Sequence, residues 1–197
     1  MSANELIIAA KRNDVERISQ LLAAGAEIDA SDAQGRTALL AATHANSINA
    51  ARVLIDQGAD VNAKDKLQDS AFLYAAAEGR LEILELTLAA GADLASVNRY
   101  GGTGLIPAAH HGYLDVVRLL LTTDIDIDHV NKLGWTALME AVILGNGEPV
   151  YVDIVKVLLD AGADPSIPDN DGVTPLEHAR TRGFDALADL IVTARPK

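Results

Sequence analysis

The chain has 197 residues, a formal net charge of −12 and no cysteine. This charge argues against nucleic acid and anionic membranes as partners, and the lack of cysteine excludes disulfides, thiolate metal ligands and cysteine nucleophiles. Hydrophobic residues make up 49% of the chain but aromatic residues only 4%, which favours closely packed helices over a β-sandwich.

The N-terminal segment MSANELIIAAKRND has neither a basic region nor a long apolar stretch, so it does not have the pattern of a signal peptide. Apolar runs stay below the ~18 residues that suggest a membrane span. We therefore expect a cytoplasmic protein, although an exported mature form would show the same features.

Internal repeats organise the rest of the sequence. Four aligned segments begin at Gly35, Gln68, Gly101 and Gly134, each 33 residues after the one before, and Gly172 follows after 38. The fifth repeat therefore carries five additional residues. With a shortened copy at each end, the chain divides into six repeats: residues 1–31, 32–64, 65–97, 98–130, 131–168 and 169–197.

Each repeat carries signals for two helices. A threonine or serine stands where the first helix should start, so that its hydroxyl can accept from unpaired backbone amides; these residues are Thr37, Ser70, Thr103, Thr136 and Thr174. A short helix rich in alanine and leucine follows, then a polar or glycine-containing break, and then a second helix such as DVVRLLL or DIVKVLL. Gly58, Gly91 and Gly162 stand where a left-handed residue would end the second helix.

These features resemble the ankyrin repeat family over nearly the whole chain, from about Asn4 to Val192. The motifs that carry the resemblance are TALL, TALM, TPLE, GADVNA and GADP at the 33-residue period. It implies an all-α repeat solenoid of helix–turn–helix units joined by β-turn or hairpin fingers, as a single domain over residues 1–197. First helices and fingers would line the concave side, and second helices the convex side.

The chain departs from the family pattern at several positions. The histidine that usually follows T-P-L is replaced by Leu40, Leu73, Ile106, Met139 and Glu177. We therefore expect the buried hydrogen bonds of that histidine to be absent. Gln68 takes the position of a turn glycine. Asp124 takes the position of a helix-ending glycine, where a left-handed residue with a side chain costs about 1 kcal/mol, so we expect an irregularity between the fourth and fifth repeats.

The insert of the fifth repeat, NGEPVYVD, lengthens the connection between its two helices. Gly147 should end the first helix, and Pro149 can begin an extended second helix. The insert is either a second contact for a partner or a tolerated increase in loop length.

The segment RYGGTGLIPAAHHGY, residues 99–113, looks in isolation like a phosphate loop followed by metal ligands. Gly101, however, aligns with the turn glycines and Thr103 with the helix caps, and the last glycine of a dinucleotide fingerprint is missing, as is a Gly-Lys-Ser/Thr sequence. His110 and His111 are neighbours on one predicted helix, so their side chains should point about 100° apart and not share a metal ion.

Carboxylates recur at repeat positions and indicate a structural role in turns: Asp60, Asp93 and Asp164 in GAD, with Asp29 and Asp128. A solenoid spreads such groups along a line instead of collecting them in a cleft. We therefore predict that the protein is not an enzyme and has no cofactor and no metal site.

The resemblance implies a non-catalytic protein-binding module, with contacts at the fingertips and on the exposed side of the first helices. By repeat position, the predicted binding residues are Arg36, Lys66, Leu67, Arg99, Tyr100, His110, His111, Lys132, Leu133, Trp135, Ile143 and Leu144.

Two features of this set carry the interpretation. Lys66, Arg99 and Lys132 recur at one-repeat spacing, which fits either a partner with an acidic stripe or an edge that only needs solubility. The apolar members of the fourth and fifth repeats, including Tyr100 and Trp135, are typical of a binding hot spot if they are exposed. The alternative is that they pack on neighbouring fingers or cover the insert.

Two other functions stay open. An inhibitor or antitoxin-like regulator would occupy an enzyme's active site, and a co-encoded enzyme as a stable partner would support it. An enzyme or small-ligand receptor would show ligand-induced thermal shifts. Polar end repeats are typical of the two ends of an array, so we expect a complete protein with no further domain, and a monomer.

Overall fold

The computed structural model describes residues 3–194, and within that range the regular secondary structure is entirely helical. The chain forms two compact parts, an N-terminal half, Met1–Asp93, and a C-terminal half, Leu94–Lys197. Each half contains three helix pairs, in agreement with the six predicted repeats.

In the N-terminal half the first helices of the repeats form one row and the second helices another. The row of first helices is α1 (Ala3–Lys11), α3 (Ala38–His44) and α5 (Ala71–Ala77), and the row of second helices is α2 (Val15–Ala23), α4 (Ile48–Asp56) and α6 (Leu81–Ala89). Neighbouring helices pack within each row and between the two rows. Small and branched residues allow this close packing: Ala42 and Ala50 are fully buried, as are Leu54 and Phe72.

The C-terminal half repeats the arrangement. Its first helices are α7 (Leu105–His110), α9 (Ala137–Leu144) and α11 (Pro175–Thr181), and its second helices are α8 (Leu114–Leu120), α10 (Pro149–Ala161) and α12 (Asp185–Thr193). Packing follows the same two rows. The predicted second helix of the insert is confirmed, because α10 starts at Pro149 and extends over 13 residues. The first helix ends before the predicted Gly147, at Leu144, and Gly145 caps it.

One side chain organises each finger between repeats. In the third repeat, Oδ1 of Asp65 accepts hydrogen bonds from the backbone amides of Leu67 (2.8 Å) and Asp69 (3.1 Å). The amide of Asp65 in turn donates to the carbonyl of Asp69 at 3.0 Å. The same three bonds form at Asp32, Asn98, Asn131 and Asp169. Each finger is therefore a turn that is closed by hydrogen bonds to an aspartate or asparagine within the turn itself.

Further hydrogen bonds join neighbouring repeats within each half. The amide of Lys66 donates to the carbonyl of Gln34 at 3.0 Å, and the amide of Lys132 donates to the carbonyl of Tyr100 at 3.0 Å. The recurring carboxylates also act here, which confirms their predicted role in turns: Asp29 accepts from the amide of Asp60, and Asp128 from the amide of Asp164.

The predicted helix caps are confirmed at four of five positions. The hydroxyls of Thr37, Ser70, Thr136 and Thr174 each accept from the amide three residues ahead. The prediction for Thr103 is wrong, since its Oγ1 is buried without a hydrogen-bond partner and α7 begins after Gly104. Gly104 is already in a helical conformation, and Pro107 has no amide hydrogen to offer.

The helix-ending glycines Gly58, Gly91 and Gly162 have positive φ values of 89°, 85° and 102°, as predicted. Gln68 has φ 66° and thus adopts the turn-glycine conformation.

Asp124 does not have a positive φ, so the left-handed conformation predicted there is wrong. The irregularity instead lies in α8, which ends at Leu120 and closes with backbone bonds from Thr122 and Thr123 to the carbonyls three residues back.

In each half, the positions of the missing family histidine are occupied by buried apolar side chains. Leu40, Leu73 and Met139 are each 1% exposed and Ile106 is 4% exposed. Glu177 instead closes a reciprocal cap with Thr174 at the start of α11.

The two threonines at equivalent cap positions give a test. Thr136→Val should lower the free energy of unfolding by about 1 kcal/mol, because it removes the acceptor for the amide of Met139. Thr103→Val should leave that free energy unchanged or raise it, because it removes a buried hydroxyl without a partner. Urea unfolding followed by circular dichroism measures both, and equal losses would contradict this account of the caps.

The finger aspartate gives a second test. Asp65→Ala leaves two amides without their acceptor and should lower the free energy of unfolding by about 2 kcal/mol. Asp65→Asn is the matched control, because asparagine makes the same bonds in the fourth and fifth repeats, and it should recover most of the loss. If both variants lose the same free energy, the charge of Asp65 matters and the turn geometry does not.

Candidate functional site

Large apolar side chains are exposed at one position of the fingers. Tyr100 is 55% exposed and Leu133 is 51% exposed, and the amide of Lys132 ties their fingers together. In the N-terminal half, Leu67 is 53% exposed at the equivalent position. Exposed aromatic and aliphatic side chains on a rigid support are the usual anchors of protein interfaces.

Two cations accompany Tyr100 and Leu133. The guanidinium of Arg99 lies over the Tyr100 ring, 4.7 Å from its centroid, and Nζ of Lys132 donates to the carbonyl of Arg99 at 2.9 Å. We call Arg99, Tyr100, Lys132 and Leu133 the fingertip surface. It presents two positive charges beside two apolar groups, on a chain whose net charge is −12.

Other predicted binding residues lie elsewhere. Arg36 is half-buried and pairs with Asp32 of its own finger at 2.8 Å, whereas Lys66 is exposed. The predicted exposure of Ile143 is wrong. It is 7% exposed in the last turn of α9, and its carbonyl accepts a hydrogen bond from the guanidinium of Arg182 in the next repeat. Trp135 is half-buried, and Leu144 is 38% exposed.

A buried carboxyl that sequence reasoning missed lies behind His110. Glu140 is 5% exposed in the middle of α9. Its Oε1 accepts from Nδ2 of Asn131 at 3.0 Å, whereas Oε2 lies 3.3 Å from Nδ1 of His110 and has no hydrogen-bond partner. The signal in the sequence is a glutamate within the apolar stretch TALMEAVIL.

The surroundings of Glu140 and His110 favour the uncharged form of both side chains, the protonated carboxyl and the neutral imidazole. Burial raises the pKa of Glu140 to about 7, against smaller lowering effects from Asn131 and His111. Burial likewise lowers the pKa of His110, and the neighbouring charge of His111 lowers it further. Near pH 7 the carboxyl therefore gains or loses its proton while its neighbour is an uncharged imidazole.

The two adjacent histidines do not diverge as predicted. Their ring centroids lie 4.6 Å apart, because α7 ends at His110 and His111 is the residue that caps it. Within residues 3–194, however, no group of three or more histidine, aspartate or glutamate side chains is arranged to hold a metal ion.

The insert of the fifth repeat braces the end of α7. The hydroxyl of Tyr151 donates to the carbonyl of His110 at 3.0 Å. Its ring occupies the space beside Gly145, where any side chain would collide with it. Gly147 contacts Phe184 in the next repeat in a similar way. The additional residues are therefore packed against both neighbouring repeats.

The remaining first-helix histidines have their own partners. His44 stacks on Tyr74 with ring centroids 3.7 Å apart, and burial lowers its pKa. His178 hydrogen-bonds Oδ2 of Asp169, the organising residue of its finger, at 2.7 Å. No helix in the described part of the chain is long and apolar enough to cross a membrane.

Helix pairs joined by closed turns at a 33-residue period define a repeat protein of stacked helical hairpins. The family model for ankyrin repeats matches residues 4–65, 72–169 and 105–195. The chain belongs to the ankyrin repeat family, whose members are typically non-catalytic and generally mediate protein–protein interaction.

Solved structures agree with this assignment. An ankyrin repeat domain from Acinetobacter baumannii AYE is 54% identical, with a TM-score of 0.94 over 98% of both chains. The ankyrin repeat protein EF0377 is 41% identical, with a TM-score of 0.95 over 99% of this chain and 100% of that one. The ankyrin repeat domain of Bcl-3, a member of the IkappaB family, is 26% identical, with a TM-score of 0.87 over 98% and 86%.

A curated relative matches a shorter region. The putative ankyrin repeat protein YahD of Escherichia coli K12 is 46% identical over 55 residues, which are 28% of this chain and 27% of that protein.

The buried carboxyl makes stability depend on pH. The pKa of Glu140 is raised from 4.5 to about 7 on folding, so the folded state holds an additional proton between those values, and stability falls as the pH rises through them. Because one pKa unit corresponds to about 1.4 kcal/mol, Glu140→Gln should be more stable than the wild type by about 3 kcal/mol at pH 8.

Urea unfolding at pH 5 and pH 8 checks this expectation. The wild type should lose stability between the two values, and Glu140→Gln should lose much less. Glu85→Gln removes an exposed carboxylate on α6 and should keep the wild-type dependence on pH. If Glu140→Gln follows the wild type at both pH values, Glu140 is not the buried acid.

Proposed function

We propose that this protein binds a protein partner without catalysis, and that the fingertip surface is the centre of the contact. The observation that carries the proposal is the pair Tyr100 and Leu133, both more than half exposed on fingers joined by a backbone hydrogen bond. The finger backbones that carry these side chains are already closed by hydrogen bonds, so binding would order little additional backbone of this chain.

The proposed partner presents acidic and apolar groups together. Arg99 and Lys132 flank the apolar pair, and the carbonyl of Arg99 already holds the ammonium of Lys132 near it. Positive groups on a chain of net charge −12 give a local field that favours an acidic segment and disfavours basic surfaces. The affinity should therefore fall as the salt concentration rises.

The proposal includes residues beyond the fingertip surface. Trp135 and Leu144 keep partly exposed surface in the same half, and His110 and His111 lie at the end of α7. Lys66 and Leu67 occupy the equivalent finger positions in the N-terminal half. Arg36 is left out because of its pair with Asp32, and Ile143 because it is buried. In this proposal the protein acts in the cytoplasm as a monomer and needs no cofactor.

A photo-crosslinking experiment tests the site. Tyr100 is replaced by p-benzoylphenylalanine in one sample, and the exposed Arg118 of α8 is replaced in the control. Irradiation in a native lysate should attach at least one protein to the first position and not to the second. That protein is then purified, and its binding to the wild type is measured by isothermal titration calorimetry.

Substitutions then measure what the surface contributes. Tyr100→Ala/Leu133→Ala should weaken binding about tenfold or more, because buried apolar anchors dominate interface energies. Lys132→Glu should weaken it too and reduce its salt dependence, whereas Arg118→Ala should change neither. If the double variant binds as well as the wild type at equal helicity and melting temperature, the contact lies elsewhere and the proposal fails.

A further inference from the structure

His110 has two different environments on its two sides. Its Nδ1 faces the buried Oε2 of Glu140 at 3.3 Å, while 43% of the side chain is exposed. The His111 ring lies beside it, 4.6 Å away, and is exposed as well. Tyr151 fixes the backbone at this point through its hydrogen bond to the carbonyl of His110.

The unpartnered oxygen is the observation that needs an explanation. Buried carboxyl oxygens are nearly always hydrogen-bonded, because a buried polar atom without a partner costs free energy. Oε2 of Glu140 has no such bond, although Nδ1 of His110 lies only 3.3 Å away from it. A small movement of either side chain would make a carboxyl–imidazole hydrogen bond through which one proton can pass.

We propose that His110 and His111 form a binding subsite for a carboxylate of the partner, and that the buried Glu140 supplies the proton that makes His110 cationic when that carboxylate arrives. This inference rests on the proposed function, because it assumes the same protein partner. It adds the chemical group of that partner, a carboxylate, that the end of α7 recognises.

The proton transfer balances within the pair. With Glu140 protonated and His110 neutral, the O–H bond at Oε2 breaks and an N–H bond forms at Nδ1. Glu140 then carries the negative charge, with Asn131 still donating to its Oε1. The imidazolium has a second N–H, at Nε2, which donates to the incoming carboxylate as a charge-assisted hydrogen bond.

This arrangement ties carboxylate binding to pH. Above the pKa of Glu140, about 7, the pair has lost its proton, and binding must take up one proton from water. The affinity should then fall by as much as about tenfold per pH unit. Just below that pKa the proton comes from Glu140 itself, so the affinity should depend little on pH.

Other ionisable groups also lie around α9. They are His111, which caps α7, His178 on α11, Arg182, which caps α11, and Tyr151 on α10. His178 is hydrogen-bonded to Asp169. The variant His178→Gln therefore serves as the control for the pH dependence.

Nuclear magnetic resonance of the full chain tests the pair without any partner. The imidazole nitrogens of His110 and the side-chain carboxyl carbon of Glu140 are followed from pH 5 to pH 9. Coupled groups report the same two macroscopic titration steps. We expect both nuclei to show them, and Glu140→Gln to remove one step from His110. A His110 titration that is the same in the wild type and in Glu140→Gln would overturn the proposal.

A peptide then tests the subsite. Acetyl-tetraglutamate amide is titrated into the protein at pH 6, 7 and 8, with acetyl-tetraglutamine amide as the neutral control. The acidic peptide should shift the His110 and His111 signals, and its dissociation constant should rise by up to about tenfold from pH 7 to pH 8. Binding to Glu140→Gln should be weaker than to the wild type at pH 6 and pH 7, because an amide cannot give its proton to Nδ1 and His110 must take the proton from water.

The outcomes separate this inference from the proposed function. If the peptide shifts signals of the fingertip surface and leaves His110 and His111 unchanged, the subsite is wrong and the fingertip contact stands. If His178→Gln removes the pH dependence, or if Glu140→Gln binds the peptide as tightly as the wild type at pH 6 and pH 7, Glu140 does not supply the proton and the proposal fails. A crosslinked partner that binds Tyr100→Ala/Leu133→Ala as tightly as the wild type refutes the proposed function. The peptide titration still tests the Glu140–His110 pair in that case.

Discussion

The fold depends on one side-chain oxygen in each finger, from an aspartate or an asparagine, that accepts hydrogen bonds from two backbone amides. A turn of this kind leaves amides without helical partners, and an unpaired amide next to a packed core costs free energy. Asp65 and Asn131 supply the acceptor from within the turn itself, so the connection needs no strand and no ligand. With the turn closed, the fingertip residues are held in fixed positions and can act as a preorganised surface.

The same device explains why the buried acid is tolerated. Asn131 uses its oxygen to hold the finger and its Nδ2 to donate to Glu140. The finger amide therefore stabilises one carboxyl oxygen, while the other is left facing His110. In the next repeat Asp169 plays the corresponding role toward His178. Finger and first helix are thus coupled through polar side chains nine residues apart.

The C-terminal half combines rigidity with an unfavourable buried group. The insert packs Tyr151 against the end of α7, and Arg182 closes the end of α9. Glu140 lies on α9 beside His110, and its burial raises its pKa to about 7 and works against stability at higher pH. Groups that reduce stability in this way are often found at binding sites, where a partner or a proton relieves the cost.

Much of this could be predicted from local sequence. Hydroxyl caps such as Thr37 and glycines such as Gly162 report on backbone conformation over a few residues. Together with the 33-residue period they predicted the family, the six repeats and the start of α10 at Pro149. Local patterns failed where a neighbouring repeat decides the outcome. Ile143 lies at the end of α9, where Arg182 of the following repeat binds its carbonyl, and Glu140 meets His110 only when α7 packs on α9. The prediction for Thr103 failed for a local reason, because Gly104 and Pro107 in its own repeat change the start of α7. Exposure and pKa are properties of such packing, so the tertiary structure alone could show which residues of the predicted surface are available to a partner.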